Sequence, residues 1–205
     1  ESQLLNAIYA LTHFSDETAD RVIQTEDRVD SMEVEIDHDL SSIIARRQPT
    51  ARDLRLLIAI SKTTANLERV GDEAEKIARM VKSIIRSGSA RALPSSELRI
   101  AAGQASTLLR KALDAFARLD VDAAVSIIRD DDEIDREFDG FVRKLITYMM
   151  EDPRTISPSL DLLFLAKAIE RIGDHAKNVA EFIIYIVKGT DVRHTAIEQI
   201  ESAVK

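Results

Sequence analysis

Four pairs of carboxylates stand four residues apart in this chain: Glu26/Asp30, Glu68/Asp72, Asp131/Asp135 and Glu170/Asp174. On an α-helix that spacing stacks both side chains on one face, a turn apart, where like charges repel by a few tenths of a kcal/mol per pair. Four carboxylates gathered at one level either hold protons, with raised pKa values, or recruit a cation. An all-oxygen donor set suits magnesium, manganese, calcium or iron. Zinc on thiolates is excluded, because the chain has no cysteine.

The competing explanation is a solvated acidic face, since 36 Asp and Glu make chance pairs common, and Arg69, Arg171 or Lys76 could neutralise them. Two features weigh against it. Leu67-Glu-Arg-Val-Gly-Asp72 recurs as Ile169-Glu-Arg-Ile-Gly-Asp174, an offset of 102 residues. Asp131 also falls in the apolar frame Ala124, Ile127, Asp131, Ile134, where a surface carboxylate has no place. Gly71 and Gly173 sit mid-helix in the repeated unit, at about 1 kcal/mol each against alanine. They serve either close helix packing or room for a ligand beside the carboxylates.

Other candidates are weaker. Glu35-x-x-His38 has the spacing of ferritin-like di-iron bundles, but that site needs the motif twice, so it is read as coincidence. His175 follows Asp174 and could add one ligand, although Glu73 stands at its place in the other repeat. His13 and His194 are read as surface residues. Neither a glycine-rich phosphate loop nor a G-x-S-x-G or Ser-His-Asp arrangement is present, and nothing argues for a catalytic nucleophile.

The carboxylates need helices to position them, and helical periodicity runs through the chain. Apolar or small residues recur at steps of four and three through Leu56, Ile60, Thr63, Leu67, Val70, Ala74, Ile77, Val81 and Ile84. Such a seam belongs to a helix packed along its neighbours. Similar seams run from Leu162 to Ile186, from Val22 to Ile43 and from Ile134 to Tyr148. Ser15 and Asp120 read as helix caps, and Thr50 with Asp53 resembles a capping box after Gln48-Pro49. Ser87 to Pro94 is linker-like. Asp152-Pro153 is a stop, and Ser157-Pro158 a start with proline at the first helical position. Six helices are expected, at about 1–13, 16–47, 50–87, 95–118, 121–151 and 158–188, with a weaker helix after Gly189 and no strand.

The halves repeat in order. Ala7, Ala10, Ala19, Val22 and Ile23 map onto Ala112, Ala115, Ala124, Ile127 and Ile128. The expected fold is all-α: a tandem repeat of two pseudo-symmetric three-helix bundles, residues 1–90 and 91–205. In this register Glu1 falls at about Ser106, already inside the fourth helix. The first helix is therefore expected to lack its start and to be two to three turns shorter than the fourth. An antiparallel hairpin centred on Pro49 sets residues whose numbers sum to about 98 against each other, pairing Glu26 with Asp72 and Asp30 with Glu68. In the second repeat, a sum of about 305 pairs Asp131 with Asp174 and Asp135 with Glu170, to within a turn. At 3.6 residues per turn, Glu68 and Asp72 lie about 140° and 180° from the centre of their seam, on its outer side.

Composition narrows the class further. The 205 residues carry 28 Lys and Arg against 36 Asp and Glu, a net charge of −8 that disfavours binding to nucleic-acid phosphates. Nine aromatics without tryptophan make a poor base-stacking platform. No apolar run approaches the 18 or so residues of a membrane span, and no secretory signal pattern is read. Absent cysteine excludes a disulfide framework and fits a reducing compartment.

Along its whole length the chain resembles the phosphate-uptake regulator family PhoU. The likeness rests on the carboxylate pairs, the duplicated Glu-Arg-Ile/Val-Gly-Asp segments at 68–72 and 170–174, and two flanking stretches. These are Ile44-Ala-Arg-Arg-Gln-Pro-Thr-Ala-Arg-Asp-Leu-Arg55 and Leu145-Ile-Thr-Tyr-Met-Met-Glu-Asp-Pro-Arg154. The resemblance implies a non-enzymatic negative regulator of the phosphate-starvation response. It would couple the ATPase subunit of a phosphate ABC transporter to a sensor histidine kinase, as a cytoplasmic homodimer peripheral to the membrane through its partners. The resemblance also implies metal ions at Glu26, Asp30, Glu68, Asp72, Asp131, Asp135, Glu170 and Asp174. The alternatives are a carboxylate-bridged metal enzyme and a purely structural helical adaptor.

Overall fold

The computed structural model describes residues 1–88 and 96–204. Among them there is no strand, and the chain runs as helices α1 (Ser2–His13), α2 (Asp16–Gln24), α3 (Glu26–Arg47), α4 (Ala51–Arg86), α5 (Ser96–Arg118), α6 (Val121–Glu151), α7 (Ile156–Lys188) and α8 (Ile197–Val204). A 3₁₀ turn, Pro153–Thr155, precedes α7. The linker read at Ser87 to Pro94 lies, from Ser89 onward, outside the described residues. No helix among the described residues is long and apolar enough to cross a membrane.

Several boundaries follow the expected chemistry. Ser15 Oγ accepts the Thr18 amide at 3.2 Å, and Asp120 Oδ1 accepts the Ala123 amide at 3.0 Å. Each satisfies an amide that the first helical turn leaves without a partner. The 12-residue α1 is shorter than the 23-residue α5 by about three turns, as the repeat register requires.

Three boundaries differ. The helix expected over 16–47 is two helices, broken at Thr25. The Thr25 hydroxyl donates to Gln3 Oε1 at 2.7 Å and lies 2.8 Å from the Arg21 carbonyl oxygen, so α1 is tied to the end of α2. Side-chain bonding back to a helix carbonyl competes with the backbone ladder. Thr50 makes no side-chain cap bond, so the capping box does not form; Ala51 after it adopts φ 49°. Helix α7 starts at Ile156, because Asp152 caps the 3₁₀ turn and brings the chain into helix two residues early. Pro158 is thus its third residue, still where no intrahelical amide is needed.

The helices form two bundles, α1–α4 and α5–α7, with α8 laid on α6. Their most extensive contact joins α4 to α7, the long third helix of each repeat. The two run antiparallel: Lys62 lies over the Phe182 ring, Asn178 donates to Asn66, Arg171 meets Glu73, and Ser83 donates to Asp161. Each of these pairs keeps the same sum of residue numbers, and so do Gly71 and Gly173. The duplicated segments, 102 residues apart in sequence, therefore come level at the middle of this helix pair. One continuous apolar core spans both bundles, from Leu4, Val22 and Ile77 to Ile127, Ile172 and Ile183.

Candidate metal centres

The hairpin register that places the carboxylates is visible in the first repeat. Ser61 on α4 donates to Asp37 on α3 at 2.7 Å, a pair on the expected sum of 98. Further along, Glu26 lies against Gly71: a Cβ built on that glycine would stand 2.9 Å from Glu26 Oε1. In the second repeat the Lys167 ammonium on α7 lies over the Phe138 ring of α6, on the sum of 305. There Asp131 lies against Gly173, with only 2.7 Å between Oδ1 and a built Cβ. The two mid-helix glycines have one role in both repeats. Each makes room for a buried carboxylate.

Burial then perturbs these groups. Asp131 is fully buried, and Glu26 is 7% exposed. Burial pushes the Glu26 carboxyl up to about 7, helped by the charges of Asp30, Asp72 and Glu75. It pushes Asp131 up to about 6 against the pull of Lys177, whose ammonium donates to Asp131 Oδ2 at 3.0 Å. Glu68, Asp135 and Asp174 are raised as well, each first by burial and next by a neighbouring carboxylate: Asp72, Glu170 and Asp135 respectively. Glu26 Oε1 and Asp131 Oδ1 are each buried without a hydrogen-bond partner.

In the second repeat Asp131, Asp135 and Asp174 each bring an oxygen within 4.8 Å of the others. Glu170, whose charge raises Asp135, falls outside that tight group and pairs with the Lys167 ammonium at 2.6 Å. In the first repeat Glu26, Glu68 and Asp72 share one neighbourhood with Asp30, which is exposed, without so tight a group. Glu68 and Asp72 are half-buried rather than outward. The angle from the seam misleads here because α4 packs against α1, α2 and α3 on one side and α7 on another, so residues well off one seam still meet a neighbour.

His175 points away from the carboxylates, with Nδ1 3.0 Å from Asn66 Oδ1 across the α4–α7 contact. Burial, with Arg69, Arg171 and Lys76 nearby, lowers its pKa to about 4. Glu35 and His38 are exposed and far from either cluster's buried oxygens, and His13 and His194 are exposed too. The sequence reading missed Gln3, which donates to Glu26 Oε2 at 3.3 Å, and Glu33, Glu75, Lys167 and Lys177. Aligning the repeats residue by residue would have exposed the two lysines as charge changes beside the motif.

Fold and site together define a class: tandem helical bundles that carry buried carboxylate clusters fit for hard cations. The PhoU domain family matches residues 1–81 and again 98–183, and the chain belongs to that family. It is 52% identical over 97% of its length to a Burkholderia phosphate-specific transport system accessory protein PhoU homolog, covering 85% of that protein. It is 48% identical to the Escherichia coli K12 phosphate-specific transport system accessory protein PhoU, over 98% of this chain and 83% of that one. The crystal structure of PhoU from Pseudomonas aeruginosa superposes with a TM-score of 0.89 at 44% identity, over 92% and 90% of the two chains.

The glycines yield a directional prediction. Alanine gains about 1 kcal/mol of helix propensity over glycine. At Gly173 the added methyl meets the short, fully buried Asp131 side chain tied to Lys177, and overpacking of that kind costs about 1–3 kcal/mol. Gly173→Ala should therefore lower stability in urea denaturation. Gly71→Ala meets the end of the longer Glu26 side chain, which can turn aside, and should leave stability nearly unchanged. Equal effects at the two sites would contradict the difference in carboxylate freedom.

The raised carboxyls also set a pH dependence. A group whose folded-state pKa lies above its unfolded value stabilises the fold as pH drops through that interval. Glu26, Asp131 and the buried Glu181, raised by burial to about 7, act this way, while His175 opposes them between 6.5 and about 4. The carboxyls outnumber the histidine. Metal-free protein should melt at a higher temperature near about pH 5.5 than near about pH 8, followed by circular dichroism. A midpoint that falls steadily on acidification over that range would show that these carboxyls do not titrate as placed.

Proposed function

We propose that this chain is a non-enzymatic negative regulator of the phosphate-starvation response, with each repeat, 1–90 and 91–205, contributing one carboxylate-lined cation site. Membership of the PhoU family and relatives named as accessory proteins of a phosphate-specific transport system support the regulatory role. The observation that carries the cation sites is the pair of orphaned, buried carboxylate oxygens, Glu26 Oε1 and Asp131 Oδ1, each facing a glycine. A buried charge without a partner is costly unless it is protonated or paired, and a hard divalent or trivalent cation (magnesium, manganese or iron among them) pairs it with oxygen-donor chemistry. Its ligands would come from Glu26, Asp30, Glu68 and Asp72 in the first repeat. In the second they would come from Asp131, Asp135 and Asp174, with Glu170 joining on release from Lys167. In this reading the chain works at the inner face of the cytoplasmic membrane as a homodimer. It reports from the phosphate ABC transporter's ATPase subunit to a sensor histidine kinase.

Replacing Asp72 and Asp174 together by Asn keeps side-chain size and removes one charge from each cluster. Cells carrying the double variant should express phosphate-starvation genes in ample phosphate, while circular dichroism of the purified protein stays helical. Full repression by a variant that has lost cation binding would separate the cations from regulation and favour the structural-adaptor alternative.

A further inference from the structure

The duplicated segments carry matching carboxylates but different cations around them. At the offset of 102 residues, Lys177 corresponds to Glu75, Glu181 to Arg79 and Lys167 to Ala65. In the second repeat Lys177 donates to Asp131 Oδ2 at 3.0 Å, and Lys167 holds Glu170 at 2.6 Å. In the first repeat Glu75 accepts from Arg79 at 2.5 Å, and its charge adds to those of Asp30 and Asp72 around Glu26. The donor on Glu26 is the neutral Gln3 amide, at 3.3 Å. Three positions thus differ in charge between the two repeats, and together they leave the second one unit more positive.

The spacing of the carboxylates follows these charges. Among the described residues, the tight group of Asp131, Asp135 and Asp174 has no counterpart of the same closeness in the first repeat. Lysine ammonium groups screen repulsion in the second cluster and let three carboxylates approach. The first cluster, without them, stays wider. Both still aim a buried, unpartnered oxygen inward: Glu26 Oε1 on a residue 7% exposed, and Asp131 Oδ1 on one 0% exposed.

We propose that the two clusters are inequivalent cation sites: the Glu26 cluster binds a hard divalent cation tightly, whereas in the Asp131 cluster Lys177 stands where a cation would and competes with it. The inference rests on the reading that these clusters bind cations at all. It makes Lys177 an internal antagonist of the second site. The first site then loads at low cation concentration and the second only at higher concentration.

The test is calorimetric titration of the metal-free full chain with Mn²⁺. Two classes of site are expected, differing by about tenfold or more in affinity, since charge count sets affinity in oxygen-donor sites. Asp72→Asn should weaken the tight class and Asp174→Asn the weak one. Lys177→Met should raise the weak class about tenfold toward the tight one and leave the tight class unchanged. Should Lys177→Met fail to fold, leaving Asp131 unpaired, the swap Glu75→Lys with Arg79→Glu serves instead. It places the second repeat's charge order on half-exposed and exposed positions of α4, and should weaken the tight class by about tenfold. Equal affinities at both sites, or a tight class indifferent to the swap, would overturn the inequivalence while leaving cation binding intact. Absence of any Mn²⁺ binding in the unaltered chain would overturn both readings.

Discussion

Carboxylates buried against glycine, with one oxygen left unpaired, are the constraint around which this molecule is organised. Desolvating a carboxylate is expensive, and the expense is reduced only by a proton, a cation or a network of donors. Glu26 and Asp131 are given almost no donors: one neutral amide in the first case and one ammonium in the second. A methyl at 173 would collide with the fixed Asp131 carboxylate, and one at 71 would push the Glu26 carboxylate aside. The helices accept an unfavourable residue at their centres so that these carboxylates can sit there.

The duplication turns that local constraint into architecture. Because α4 and α7 pack antiparallel in a fixed register, the two Glu-Arg-hydrophobic-Gly-Asp segments meet at the middle of the longest helix contact. Arg69, Asp72, Arg171 and Asp174 wall one cleft over that contact, so a change at one cluster lies beside the other. Glu73 is the hinge of charge there. It accepts from Lys76 at 2.9 Å and from Arg171 of the opposite bundle at 3.2 Å.

Much of this was legible in the chain itself, and the exceptions are instructive. The periodic seams gave the helices, and the repeat offset gave the short α1, since both depend on residue spacing alone. Asp131 announced its burial by falling in an apolar frame. The break at Thr25 was hidden because Val22, Val29 and Ile36 keep one phase across it, while the cause is a hydroxyl bond to Gln3 on another helix. Glu68 and Asp72 looked outward because the angle from a seam assumes one packed face, whereas α4 has neighbours on several sides. Glu170 matched the hairpin register, yet it falls outside the tight group and pairs with Lys167, three residues before it. Register places a residue at a level; local ion pairs decide where its charge goes.

The central claim is that the orphaned carboxylate oxygens are places for hard cations. Anomalous diffraction at the manganese edge, from crystals of the full chain grown with Mn²⁺, tests it most directly. Peaks are expected beside Gly71, among Glu26, Glu68 and Asp72, and beside Gly173, among Asp131, Asp135 and Asp174. Well-diffracting crystals with no peak at either glycine, or with manganese only on exposed acidic residues elsewhere, would contradict it.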